Sequence, residues 1–359
     1  MNTFGTKLKF TSFGESHGRA VGCVLDGMPA GVSFDEEFLH QEMQKRRGGS
    51  RFSTPRKEED RVEVLSGIFE GKTTAQPIAM VIFNENARSK DYEELRGIFR
   101  PSHADFSYFA KFGLRDHRGG GRSSARESAA RVAAGAVAGM LLREFDVVVR
   151  SGIFGVGGCV SALKNEEFDF DFAAKSEIFA LDAALEGAFK AEILQAKRDK
   201  DSVGAAVFTR VSGAGAGLGE VLYDKLDSKL AHALMGINAV KALEIGSGMN
   251  LSRMRGSAAN DRMRDGGFLS NHSGGILGGI SNGNLIELKS YFKPTPSIFL
   301  PQESMNEAGE NVLCELRGRH DPCVGVRGSV VATAMVRLVM ADALLLNLGS
   351  KLFCLNKNF

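Results

Sequence analysis

The chain has 359 residues, 43% hydrophobic and 25% charged, which excludes wholesale disorder and collagen-like repeats and provides for a large buried core. Lys and Arg number 45 against 43 Asp and Glu, a net charge of +2, too balanced for a surface built to coat nucleic acid or an acidic membrane. Glycine is the outlier, 43 residues or about 12% against a usual ~7%, and calls for tight turns or close backbone approach.

In chain order, FGTKLKFTSFGE predicts an alternating strand that breaks at glycine, and AVGCVLDGMPAGVSF a second strand with a Pro-Gly turn. Gly14-Glu15-Ser16-His17-Gly18 lies between them as a loop or strand end. Ser33-Phe34-Asp35-Glu36 has capping-box spacing and opens a helix whose last turn carries Lys45, Arg46 and Arg47 before Gly48-Gly49. VEVLSGIFEGKTTAQPIAMVIFN reads as strand, turn and apolar strand. A second capping box, Ser124-Ala125-Arg126-Glu127, follows Gly119-Gly120-Gly121-Arg122-Ser123 and opens an alanine-rich helix to about Phe145. Its small residues suit close packing, and its N-terminus suits an anion.

From Phe145 to Leu230, acidic helical segments alternate with the strand VGAAVFTRVSG, and residues 204 to 283 hold 16 of the 43 glycines. A long apolar helix, about Gly328 to Leu348, follows LRGRHDPCVGVR; Arg337 and Asp342 inside it argue against a membrane span. Each long helix is preceded by a basic run, which suggests an internal duplication. No linker composition marks a boundary, so one interleaved domain over residues 1–359 is expected. Five cysteines, Cys23, Cys159, Cys314, Cys323 and Cys354, form no C-x-x-C pair and read as reduced thiols, giving a cytoplasmic expectation together with the absence of a signal peptide.

Basic residues cluster at Lys45 to Arg61, Arg96 to Arg131, Arg253 to Arg264 and Arg317 to Arg327. The planar fork of arginine suits carboxylate and phosphate, and near-neutral total charge favours a small anionic ligand over a polymer. His17 and His103 stand in short polar sequences, where a histidine beside a bound phosphate can move protons at neutral pH. His117, His272 and His320 have similar settings, while His40 and His232 read as structural. GGGRSS lacks the Walker Lys-Ser/Thr, and GAGAGLG lacks Rossmann spacing. GESHG is not G-x-S-x-G, and on a strand Ser16 and His17 would face opposite ways, which argues against a serine hydrolase. No metal-ligand spacing of carboxylates occurs, so no metal is expected.

Three stretches carry a specific resemblance: GESHG running into VGCVLDGMPAG, GGGRSSARESAARVAAGA, and RGRHDPCVGVRG. INAVKALEIG, NHSGGILGGIS and YFKPTPSI add to it. Over essentially its whole length the sequence resembles the chorismate synthase family, which implies conversion of 5-enolpyruvylshikimate 3-phosphate to chorismate and phosphate. The reaction is a 1,4-anti elimination that needs reduced FMN without net oxidation. The resemblance implies an α+β fold, a β-α-β sandwich with central helices between outer sheets, assembled as a homotetramer. It implies that His17 protonates the leaving phosphate, that His103 protonates or stabilises the reduced flavin, and that Asp321 near flavin N5 relays the C6 proton with Ser16. Arg46, Arg51, Arg100, Arg126 and Arg319 would hold substrate or NADP anions. FMN would touch Arg122, Ser123, Ser124, Asn238, Ala239, Gly278, Lys293, Pro294, Thr295, Pro296, Ser297 and Arg319.

RPSHAD departs from the family, which usually has glycine where Ser102 stands; a positive φ there would strain the backbone beside His103. Two other readings stand beside the resemblance: a flavin-independent phosphatase or lyase acting on a phosphorylated carboxylate, and a non-catalytic polyanion-binding module. Aromatics, 8% of the chain, do not interleave with the basic runs, against single-strand recognition. Whether NADPH reduces the flavin on this chain or a separate reductase supplies it is not legible.

Overall fold

The structure, a computed structural model, describes residues 1–54, 59–85, 96–316 and 320–351. Two five-stranded antiparallel sheets dominate. The first comprises β1 (Thr3–Phe4), β2 (Lys9–Gly14), β3 (Ala20–Asp26), β4 (Glu63–Val64) and β5 (Ile78–Phe83), in the order β1-β2-β3-β5-β4. The second comprises β6 (Val148–Val156), β7 (Cys159–Val160), β8 (Ala205–Ser212), β9 (Val240–Ile245) and β10 (Ile286–Phe292), in the order β9-β10-β8-β6-β7. Alternation decides which face is buried: in β5, Ile78, Met80 and Ile82 are buried and the residues between them are not.

Six helices of eight residues or more accompany them among the described residues: α1 (Glu36–Arg46), α2 (Asp105–Phe112), α3 (Ser128–Arg143), α4 (Glu186–Arg198), α5 (Leu226–Met235) and α6 (Val324–Asn347). The fold is therefore mixed α+β. Helix α3 lies on β2, β3 and β5, α6 lies on β6, β8 and β10, and the two pack on each other. One continuous apolar cluster runs from Phe10 in the first sheet through both helices to Phe292 in the second. Helix α6 is long and apolar enough to cross a membrane, yet 83% of that stretch is buried inside the protein. Its Asp342 carboxylate accepts the backbone N–H groups of Thr6 at 2.9 Å, Lys7 at 2.6 Å and Leu8 at 2.8 Å. A buried charge is tolerable on those terms.

Several local expectations shift. Helix α1 is capped by Asp35, whose Oδ1 accepts from Phe38 N at 2.8 Å, and not by Ser33; it ends at Arg46, with Arg47 already extended ahead of Gly48. Ser124 caps a 3-10 turn, Ala125–Glu127, and α3 begins only at Ser128 and ends at Arg143. Glu127 does not close a capping box; it bonds Ser12 Oγ at 2.9 Å and Arg131 Nε at 2.7 Å. Helix α6 starts at Val324, four residues earlier than expected. Much of the acidic stretch before α4 is not helical beyond the single turn Phe170–Ala173. Ser176 Oγ accepts from the N–H groups of Ile178 and Ala180, and Asp182 Oδ1 from Ala184 and Leu185, so side chains there compete with the helix for backbone donors.

The approach of α3 to α6 depends on small side chains. A Cβ on Gly135 would sit 2.5 Å from both Cα and Cβ of Ala334. Helix propensity alone favours Gly135→Ala by up to ~1 kcal/mol, whereas overpacking costs about 1–3 kcal/mol. The variant should be the less stable protein by urea unfolding; a gain in stability would show that the helices have room to separate.

Candidate functional site

A cavity of about 520 Å³ opens where the two long helices begin. The end of α1, the Gly119–Ala125 loop, the turn at Lys293–Ser297 and the chain leading into α6 all contribute to its wall. Its volume falls in the range of about 300–1,000 Å³ usual for small-molecule sites.

Its floor is cationic. Phe38, Leu39, Glu42, Met43 and Arg46 form the buried face of α1, so the basic last turn sends Arg46 inward, 1% exposed, while Lys45 stays half-exposed. Arg46 and Arg126 both bond the buried carboxylate of Asp60, one to each oxygen. Arg126 also donates to Asn84 Oδ1 at 2.8 Å, and Arg46 to Ser128 Oγ at 3.3 Å. Burial opposes ionisation of Asp60, but the two guanidiniums outweigh it and hold the carboxyl below its usual range. Burial pushes Arg46 down to about 10, despite Asp60. The Arg46 Nε is buried and makes no hydrogen bond among the described residues. Asp321 accepts from Thr54 N at 2.8 Å and from Arg327 Nη1 at 2.9 Å, and Arg327 Nε donates to the Arg46 carbonyl at 2.9 Å.

The two histidines flank this floor, each pressed on bare glycine. A Cβ on Gly119 would fall 2.1 Å from His17 Cε1, and one on Gly120 2.7 Å from His103 Cε1. Ser16 and His17 lie on a turn and not on a strand, so their side chains meet, Ser16 Oγ to His17 Nδ1 at 3.1 Å; the expectation of opposite faces is corrected. His103 Nδ1 is 2.9 Å from Asp105 Oδ1. Ser102 has φ +56, the strained arrangement feared for a non-glycine residue there. Its carbonyl accepts from Lys293 Nζ at 2.8 Å. On the opposite wall, Asn238 Nδ2 donates to the Ser123 carbonyl at 2.7 Å, and Ala239, at φ +70, accepts from Lys293 N at 2.9 Å.

His17, Arg46, Arg100, His103, Ser123, Ser124, Arg126, Asn238, Ala239, Lys293, Thr295, Pro296, Ser297 and Asp321 thus line one cavity, with Ser16 buried behind His17. Pro294 is in the same turn but not in the lining, and Gly278 is exposed on a separate hairpin. Arg122 turns away to Ser12 Oγ at 2.8 Å, and Arg51 lies exposed beside Glu177 at 3.6 Å. Arg319 lies outside the described residues. Asp60, Lys241 and Arg327 line the cavity without having been singled out. Asp60 stands in an ordinary charged run, and no local pattern marks a carboxylate that two distant arginines share.

A cavity lined by this surplus of guanidinium and by three histidines, His17, His103 and His320, defines an enzyme for a small polyanion. Comparison with known proteins specifies it further. A family model described as chorismate synthase matches residues 8–345. A chorismate synthase of Campylobacter jejuni is 73% identical over 352 residues, covering 98% of this chain and 97% of the relative. One of Campylobacter lari is 66% identical over 353 residues, with the same coverage. A crystal structure of chorismate synthase superposes with a TM-score of 0.77 at 30% identity, over 96% of this chain and 94% of the other. The chain belongs to the chorismate synthase family, a family of carbon–oxygen lyases.

Asp60→Asn takes from two buried guanidiniums the carboxylate they share and should lose about 3–5 kcal/mol at pH 7. Asp60 titrates below its ordinary value when folded. Its contribution is therefore complete above the unfolded pKa of about 3.9 and disappears as pH falls towards the folded value. The variant should accordingly lose stability less steeply than the wild type on acidification below about pH 4. Urea titrations across pH read both effects; equal stabilities at pH 7 would show that the guanidiniums do not need this carboxylate.

Proposed function

We propose that the chain converts 5-enolpyruvylshikimate 3-phosphate to chorismate and phosphate by 1,4-anti elimination with reduced FMN, as a step in the shikimate pathway. The observation that carries the reading is the convergence of fourteen residues named from separate stretches of sequence on one cationic cavity. Arg46, Arg100, Arg126, Arg327, Lys241 and Lys293 line it against Asp60 and Asp321, a balance suited to a phosphate and two carboxylates.

The residues present fit a flavin as well as a substrate. Thr295 Oγ1, in the Lys293–Ser297 turn, is buried with no hydrogen-bond partner among the described residues, as a group awaiting a ligand would be. Ser123, Ser124, Asn238, Ala239 and the 293–297 turn would hold the cofactor. Bound there, reduced FMN lends electron density to the substrate and undergoes no net oxidation. Arg46 and Arg126 bind and orient the substrate anions. His17, steadied by Ser16, gives a proton to the departing phosphate. Asp321, fixed by Thr54 N and Arg327, takes part in removing the proton from C6, with Ser16. His103 holds a proton at the flavin side of the cavity; burial lowers its proton affinity, and the Asp105 hydrogen bond opposes that.

The reading extends to a single domain over residues 1–359, a β-α-β sandwich raised by internal duplication, each half supplying a five-stranded sheet and a long apolar helix entered from a basic loop. It extends also to a cytoplasmic homotetramer that takes reducing equivalents from NADPH or from a separate flavin reductase.

Anaerobic protein with reduced FMN should release phosphate and form chorismate, and without flavin or with oxidised FMN it should do neither. Phosphate release independent of flavin would favour the phosphatase reading and sink this one. The same assay with NADPH and oxidised FMN alone decides whether the chain reduces its own cofactor. His17→Ala and Asp321→Ala should each slow turnover by at least ~10²-fold, the scale of a positioned acid or base; near-normal rates would remove those roles.

A further inference from the structure

Asp105 opens α2, is 3% exposed, and stands behind His103 outside the cavity lining. Its Oδ1 is 2.9 Å from His103 Nδ1. Arg100 grips it from the other side, with Nη2 at 2.8 Å from Oδ1, and Nε at 2.7 Å and the backbone N–H at 3.1 Å from Oδ2. Arg115 Nη1 approaches Oδ1 at 3.9 Å. The carboxylate sits at the first turn of a helix, where negative charge is favoured. Burial works against its ionisation, but the hydrogen bonds from Arg100 and His103 outweigh burial and hold it far below the ordinary carboxylate range. An ionised carboxylate only accepts, so the proton between the two groups belongs to His103 Nδ1.

We propose that Asp105, anchored by Arg100, is a positioning residue that holds His103 in the Nδ1–H form and leaves Nε2 as the atom that exchanges a proton with whatever occupies the cavity. Gly120 serves the same end: a Cβ there would lie 2.7 Å from His103 Cε1 and 3.1 Å from Nε2, so bare backbone keeps that edge of the ring clear. The charged groups facing His103 are Asp105 and Arg100 from the α2 side and Lys293 from the 293–297 turn, with Arg115 beyond Asp105. Arg100 and Lys293 disfavour the imidazolium and Asp105 favours it. Arg100, expected at the substrate anions, here directs Nε and Nη2 to Asp105. The proton-exchange part rests on the family reading of His103, whereas the tautomer does not.

Two measurements test this. In ¹⁵N-histidine spectra of the ligand-free wild type, the His103 signal, assigned by its loss in His103→Gln, should show a protonated Nδ1 and a bare Nε2 at alkaline pH. The opposite tautomer would overturn the proposal without reference to activity. In the holoenzyme, Asp105→Asn should lower kcat at least ~10²-fold and move the alkaline limb of kcat down by about one pH unit or more, because the imidazolium loses its counter-charge. Asp105→Glu should recover part of both. In a His103→Ala background, Asp105→Asn should cost almost nothing further. The same fold-loss in both backgrounds would mark Asp105 as structural and overturn the proposal. Should Asp105→Asn fail to fold because buried Arg100 loses this carboxylate, the wild-type spectrum still decides. Full activity of His103→Ala would overturn the family role of His103 and the proton-exchange clause with it, leaving the spectrum to judge positioning alone.

Discussion

Buried cations at the end of α1 and the entry of α3 are the constraint around which this structure is arranged. Arg46 and Arg126 are nearly inaccessible, and each would cost several kcal/mol to bury without a counter-charge. Asp60 supplies it for both at once, tying the last turn of α1 to the entry of α3. Arg327 is held against the same assembly by Asp321 and the Arg46 carbonyl. With two carboxylates for more than two guanidiniums, the floor keeps a net positive charge. That surplus suits an anionic ligand.

Helix packing decides where this charge stands. Small residues in α3 let it meet α6 at van der Waals distance, Gly135 against Ala334. The N-terminal approaches to the two helices, Ser124-Ala125-Arg126 and Val324 to Arg327, consequently open on one cavity. Helix N-termini favour negative charge, and the arginines reinforce that field. The glycine loop before α3 adds the histidines, since only bare backbone at Gly119 and Gly120 allows both rings to lie so close.

Strands with alternating burial and the two long helices were legible from spacing, because the apolar period follows directly from backbone geometry. Boundaries were less so: Asp35 holds the cap expected of Ser33, since both residue types are good N-caps. The positive φ at Ser102 was anticipated from a departure in motif wording, and the turn brings it out. Ser16 meets His17 because the chain turns there, and the alternation of a strand does not apply. Arg122 and Arg51, named with the cavity, face elsewhere.

By itself, the sequence determined the family, the periodic elements, the location of the basic clusters and the histidines within them. Those features are local or carried by ordered motifs. Tertiary structure alone decided which charges share a partner. Asp60 lies 14 residues from Arg46 and 66 from Arg126, and no helical or strand period connects such separations. Asp105 is only two residues from His103, yet its role depends on a side-chain hydrogen bond whose direction spacing does not encode. Pairing of buried charge is settled by packing, because desolvation penalises every arrangement except the one in which each group finds its counterpart.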